Sequence, residues 1–135
     1  MTDKEIETAL DKAWKEFVMA GKPAQFHDGI RDALVALGKT LGFKNSAKEY
    51  RVEPVYPHHQ NSYIDVVWRD TAKVPRLTLE IDEGSNPRAI RKLLGNPSGL
   101  KLWFCYGPEK RFLASLARHA KDRAQEIRLI VMPAP

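Results

Sequence analysis

Arg76-Leu77-Thr78-Leu79-Glu80-Ile81-Asp82-Glu83-Gly84 repeats with a period of two. Leu77, Leu79 and Ile81 fall on one face of an extended strand, and Thr78, Glu80 and Asp82 fall on the other. The stretch therefore predicts a strand with an apolar back and an acidic front. Two carboxylates two residues apart on one strand face project side by side. Like charges that close repel, so the pair calls for a cation, a proton or open water.

Upstream of this strand the pattern is first helical and then extended. Thr2 with Glu5 three residues on has the spacing of a capping box. Behind it Ile6, Leu10, Ala13, Trp14 and Phe17 recur at helical spacing. This predicts a first helix to about Ala20, stopped at Gly21. After Lys22-Pro23 a second helix is predicted from about Ala24 to Leu41, with Phe26, Ile30, Ala33, Leu34, Leu37 and Leu41 as its apolar stripe and Gly42 as its end. From Lys48 the period becomes two. Lys48 to Tyr56 reads as a strand that Pro54 and Pro57 bend or confine to an edge. Tyr63 to Arg69 reads as another, with Ile64, Val66 and Trp68 on one face and Tyr63, Asp65 and Val67 on the opposite face. Asp70 to Pro75 turns the chain into the opening stretch, so three strands form an antiparallel meander.

Downstream, Asn86 is a good N-cap and Pro87 a good first helical residue. Ala89, Ile90, Leu93 and Leu94 make the buried face of a short helix that Gly95-Asn96-Pro97 ends. Leu100 to Tyr106 is nearly all apolar, as a strand covered on both faces should be. Gly107-Pro108 opens a further helix with Phe112, Leu113, Leu116, Ala117 and Ala120 inward, and Glu126 to Met132 is a last strand. The order is α-α-β-β-β-α-β-α-β. Its strand–helix–strand segments favour parallel pairing at the end, giving a mixed α/β sheet flanked by helices.

The chain's 135 residues suit a single domain, and 43% apolar with 29% charged residues describes a folded chain rather than a disordered one. The net charge of +5 is compatible with a polyanionic partner. A lone Cys105 in an apolar run cannot form an internal disulfide, which points to a buried thiol and a reducing, cytoplasmic setting. Neither a membrane span nor a signal peptide is expected. Trp14, Trp68 and Trp103 occupy core-like periodic positions.

The segment 24–106, helix-β-β-β-helix-β, resembles the PD-(D/E)XK, or restriction-endonuclease-like, superfamily. In that family an acid lies on the second strand of a hairpin, and an acid-x-lysine triplet lies on the third strand before a helix. Asp65 in Tyr63-Ile64-Asp65-Val66-Val67 matches the first acid and Glu80 in Leu79-Glu80-Ile81-Asp82 the second. The resemblance implies a restriction-endonuclease-like core preceded by a helix at 1–21 and followed by a helix–strand extension at 107–135. It also implies a metal-dependent endonuclease, a hydrolase of phosphodiester bonds, acting on nucleic acid and most simply DNA. Asp65 and Glu80, with the Ile81 carbonyl, would hold Mg²⁺ or Mn²⁺. Hard oxygen ligands of this kind suit Mg²⁺, which keeps several waters.

The chain departs from the family where it matters for catalysis, because Asp82 stands at the lysine position. Three readings follow. Asp82 acts as a base or an added ligand; or Arg88, Arg91 or Lys92 on the next helix supplies the cation and touches phosphate; or the fold binds nucleic acid or a protein partner without catalysis. A blander alternative is an open sheet face on which the acids pair with Arg51, Arg69 or Arg76. Asp28 and Asp32 face solvent on the second helix, while His27 and Arg31 lie nearer its apolar border and flank the site. His58-His59 reads as a solvated turn, since adjacent residues of an extended chain point opposite ways. Lys110, Arg111, Arg118, Lys121 and Arg123 form later basic clusters. With no separate recognition domain, sequence specificity would need a homodimer or a partner.

Overall fold

The structure is a computed structural model that describes residues 2–19, 26–52, 62–82, 87–96 and 99–132. Helices α1 (Asp3–Met19) and α2 (Phe26–Thr40) precede strands β1 (Ala47–Val52), β2 (Ser62–Arg69) and β3 (Pro75–Asp82). Helix α3 (Pro87–Gly95), strand β4 (Leu100–Tyr106), helix α4 (Glu109–Ala120), a 3-10 turn (Lys121–Glu126) and strand β5 (Arg128–Met132) follow. The five strands form one mixed sheet in the order β1-β2-β3-β4-β5. The β1–β2 and β2–β3 pairs are antiparallel, and the β3–β4 and β4–β5 pairs are parallel. The expected meander followed by parallel pairing is what forms. The proposed bend at Pro54 and Pro57, the His58-His59 turn, the stop at Gly21 and the Asn86 cap lie outside the described residues.

Local chemistry explains the ends that are described. Thr2 N–H donates to Glu5 Oε2 at 2.8 Å and Glu5 N–H to Thr2 Oγ1 at 3.2 Å, a complete capping box at the start of α1. Past α2, Gly42 takes the left-handed conformation with φ 100°, which a side chain would disfavour. Between β2 and β3, Asp70 Oδ1 accepts from the Ala72 and Val74 amides at 2.9 and 3.0 Å and so closes the turn. At the end of α3 the Asn96 side-chain amide donates to the Lys92 carbonyl at 2.6 Å.

Helices cover both faces of the sheet. On one side Ile6, Leu10, Trp14, Ile30 and Leu34 of α1 and α2 pack on Leu77, Leu79, Ile81, Leu102 and Phe104. On the other, Ala89, Ile90, Leu93, Phe112 and Leu116 of α3 and α4 pack on Trp103 and Cys105. The apolar back of β3 thus meets α1 and α2, and its acidic front faces α3. All three tryptophans are core residues: Trp14 is 4% exposed, and Trp68 and Trp103 are fully buried. Cys105 is buried as expected, and that burial, followed by the negative charge of Asp82, pushes its thiol pKa far up.

Two expectations need correction. Ile64 does not share a layer with Val66 and Trp68. It packs with Ile90 and Leu93, whereas Val66 and Trp68 pack under α1 and α2. Residues two apart on a regular strand share a face, so β2 turns about its axis at Asp65. On α4 the inward face is Phe112, Ser115, Leu116 and Ala120, while Leu113 is 48% exposed and Ala117 is exposed. The 3-10 turn was not anticipated, because Lys-Asp-Arg-Ala-Gln-Glu carries no apolar period to announce it.

The α2–β2 contact depends on one missing side chain. Trp68 Nε1 donates to the Leu34 carbonyl at 3.0 Å, and a Cβ built on Gly38 would lie 2.5 Å from that same nitrogen and 2.8 Å from Ser46 Oγ. The tryptophan is fully buried and tethered, so it cannot give way. Overpacking of this kind costs about 1–3 kcal/mol, which exceeds the ~1 kcal/mol a helix gains from glycine to alanine. Gly38→Ala is therefore expected to lower the urea midpoint of unfolding; an unchanged midpoint would contradict the close approach.

Candidate functional site

Asp65 and Glu80 meet because the β2–β3 ladder opens between them. Its register includes Val67–Thr78 and Val66–Leu79, and one further step sets Asp65 across from Glu80. There the Ile81 amide donates to Asp65 Oδ2 at 2.8 Å, so a side chain takes the place of a backbone acceptor. An extended residue directs its N–H and C=O toward the same edge. The Ile81 carbonyl therefore faces the same gap. Together His27, Asp65, Glu80, Ile81, Asp82, Ala89, Lys92 and Tyr106 line a cleft of about 360 Å³.

Glu80 is 4% exposed, so it does not sit on an open sheet face. Its counter-charge comes from α3, where Lys92 Nζ lies 2.8 Å from Glu80 Oε1. The ion pair offsets part of the cost of burying that carboxylate. Lys92 also donates to the Tyr63 carbonyl at 2.7 Å, which fixes its ammonium over the gap. Asp65 is bounded on its other side by α2, with His27 Nε2 3.5 Å from Oδ2, while His27 Nδ1 lies 3.3 Å from Asp28 Oδ1. Arg51, Arg69 and Arg76 form no ion pair with either acid among the described residues; Arg69 Nε donates to the Asn45 carbonyl at 3.3 Å.

The electrostatics separate the two acids. Burial, then the charge of Asp65 and the hydrogen bond to it, drive the Glu80 pKa well above 4.5, and Lys92 opposes this only in part. Burial also acts to raise Asp65, but hydrogen bonds from His27, Glu80 and the Ile81 amide outweigh it and bring Asp65 below 3.8. As pH rises, Glu80 therefore keeps its proton longer than Asp65 does. The hydrogen bond to Asp65, partly countered by burial, raises His27 above 6.5, with Asp28 adding to the rise.

Of the residues read from the sequence, Asp65, Glu80, Ile81, Asp82 and Lys92 come together here, and His27 does flank them. Arg88 and Arg91 lie on the exposed side of α3 and are not among the cleft's lining residues. Asp28 and Asp32 are exposed, as expected. Tyr106 was missed; the parallel register that pairs Asp82 with Cys105 carries the next residue to the cleft wall. Among the described residues no group of three or more His, Cys, Asp or Glu side chains is set to enclose a metal ion. The donor set that is present still suits a hard divalent cation, which takes one or two carboxylates and keeps its waters. Such a cation would relieve the repulsion between two acids this close, one of them buried.

Among the described residues no helix is long and apolar enough to cross a membrane. No protein-family model matches the chain, and no curated protein or solved structure matches it either.

Proposed function

We propose that this chain is a divalent-metal-dependent nuclease, hydrolysing phosphodiester bonds in DNA, on a restriction-endonuclease-like core whose motif lysine is replaced by Lys92 of the following helix. The observation that carries this reading is the Asp65–Glu80 pair: two carboxylates on adjacent strands, one of them buried with its pKa raised, and an ammonium 2.8 Å from that buried one. The element order and the position of each acid on its strand support it.

In this reading Asp65 and Glu80, with the Ile81 carbonyl, would hold Mg²⁺ or Mn²⁺, which would supply Lewis-acid polarisation of the phosphodiester. Lys92 provides the positive charge that a carboxylate at position 82 cannot, placing it where negative charge grows on the phosphate. Asp82 lines the same cleft as an acceptor for a water proton. His27 orients Asp65 from the α2 side. Arg88 and Arg91, exposed on α3 outside the cleft, would add positive charge toward the phosphate backbone.

Incubating the purified protein with supercoiled and linear DNA in Mg²⁺ or Mn²⁺ tests the proposal. Nicking or linearisation is expected, falling by about 100-fold or more in Asp65→Asn. Absence of cleavage with both ions, or equal cleavage by Asp65→Asn, refutes it. Salt-dependent DNA binding that survives loss of both acids, without cleavage, would identify a binding protein on the same fold.

A further inference from the structure

A second cavity, of about 400 Å³, lies along α4 and is lined by Arg111, Ala114, Ser115, Arg118 and His119. It shares no lining residue with the carboxylate cleft. Positions 111, 115, 118 and 119 are spaced so that they fall on one helix face. Glu109 is the only acid in α4, and among the described residues neither Arg118 nor His119 has an ion-pair partner. Arg111 lies with its guanidinium carbon 5.4 Å from the Phe112 ring centroid.

Ser115 closes the buried side of the cavity. It is 8% exposed, and its hydroxyl oxygen is shut off from solvent, so it shapes the wall without touching what fills the cavity. Two guanidinium forks and an imidazole form a donor-rich set over a floor of Ala114 and Ser115. Arginine forks recognise tetrahedral oxyanions through paired hydrogen bonds.

We infer that the α4 cavity is a phosphate-binding site, formed by Arg111, Arg118 and His119, that grips the nucleic-acid backbone at a point separate from the carboxylate cleft. Phosphate recognition follows from these residues alone; assigning the phosphate to nucleic acid rests on the nuclease reading above. A free mononucleotide presents the same chemistry, so the test has separate arms.

In the first arm, inorganic phosphate is titrated into the full chain while the His119 ring resonances and the melting temperature are followed. Wild type is expected to show saturable ring shifts and a rise in melting temperature, both lost in Arg118→Gln; no response in wild type overturns the site. In the second arm, binding of a labelled DNA duplex is measured against salt in EDTA. The Arg111→Gln/Arg118→Gln pair is expected to weaken binding about tenfold and to reduce the slope of log K against log salt by about 2, one unit per lost phosphate contact. Lys110→Gln, outside the cavity, sets the effect of losing one surface charge. A double variant whose loss is no larger than the control's overturns the nucleic-acid assignment, even if inorganic phosphate binds. Neither arm scores cleavage, so a failed nuclease reading and a failed phosphate site give different results.

Discussion

Glu80→Gln is expected to destroy cleavage while making the metal-free protein more stable above neutral pH. The two effects have one origin. Burial and then the charge of Asp65 disfavour the Glu80 carboxylate in the folded state and raise its pKa. A group whose folded pKa is raised contributes stability that is fully present below its unfolded value, here 4.5, and loses it as pH rises through the folded value. His27, also raised, acts in the same direction above 6.5. Asp65, lowered, acts oppositely and withdraws its contribution only as pH falls below 3.8. The metal-free wild type should therefore unfold at lower urea at about pH 8 than at about pH 5. Glutamine mimics the protonated acid and cannot ionise, so Glu80→Gln should flatten most of that decline. It also removes a carboxylate from the proposed cation site, with an expected loss of about 100-fold or more in cleavage. Urea titrations at the two pH values, with and without Mn²⁺, give the readout. A variant with the wild-type pH profile would show that Glu80 is not the group whose raised pKa shapes that decline.

Lys92→Met is expected to have the second-largest effect. Methionine keeps the unbranched stem and removes the ammonium that lies against Glu80 and donates to the Tyr63 carbonyl. Breaking a buried ion pair from one side strands the other charge, but here the stranded acid can take up a proton. The cost should accordingly be limited, about 1–3 kcal/mol at about pH 8, the range for a buried group left without its partner. It should shrink as pH falls and Glu80 takes up its proton. Cleavage should fall by about 10²–10³, the cost of losing one well-placed donor to a developing charge. Lys92→Arg should restore charge but not full rate, since a planar fork cannot occupy the place of a compact ammonium. Wild-type cleavage by Lys92→Met would remove the helix-borne cation from the mechanism.

Much of this architecture could be read before any coordinates because it depends on local periodicity. Leu77, Leu79 and Ile81 alternate with Thr78, Glu80 and Asp82, and that alone sets which face is acidic. The capping box at Thr2 and the alternation around Asp65 work the same way. What escaped depends on how elements dock. Arg88, Arg91 and Lys92 were equal candidates in the sequence; α3 buries Ala89, Ile90 and Leu93, and Lys92 is the one of the three cations nearest that stripe by helical angle. The layer change at Ile64 was hidden for the same reason, because nothing in Tyr63-Ile64-Asp65-Val66 signals where its neighbour strand departs. On α4, hydrophobicity favoured Leu113 and Ala117, but the helix turned Ser115 inward and left those two in water.

The gap between β2 and β3 also bears on how the molecule can move. At its acidic end the two strands are joined by a carboxylate–amide contact from Asp65 to Ile81 rather than by another rung of backbone pairing. A rung of that kind can detach by a rotation of one side chain, without unzipping the pairs at Val66–Leu79 and beyond. The sheet is thus built with a stiff seam and a compliant mouth. Small separations at the mouth change the spacing of the two acids while the layers anchored on Trp68 and Trp103 stay where they are.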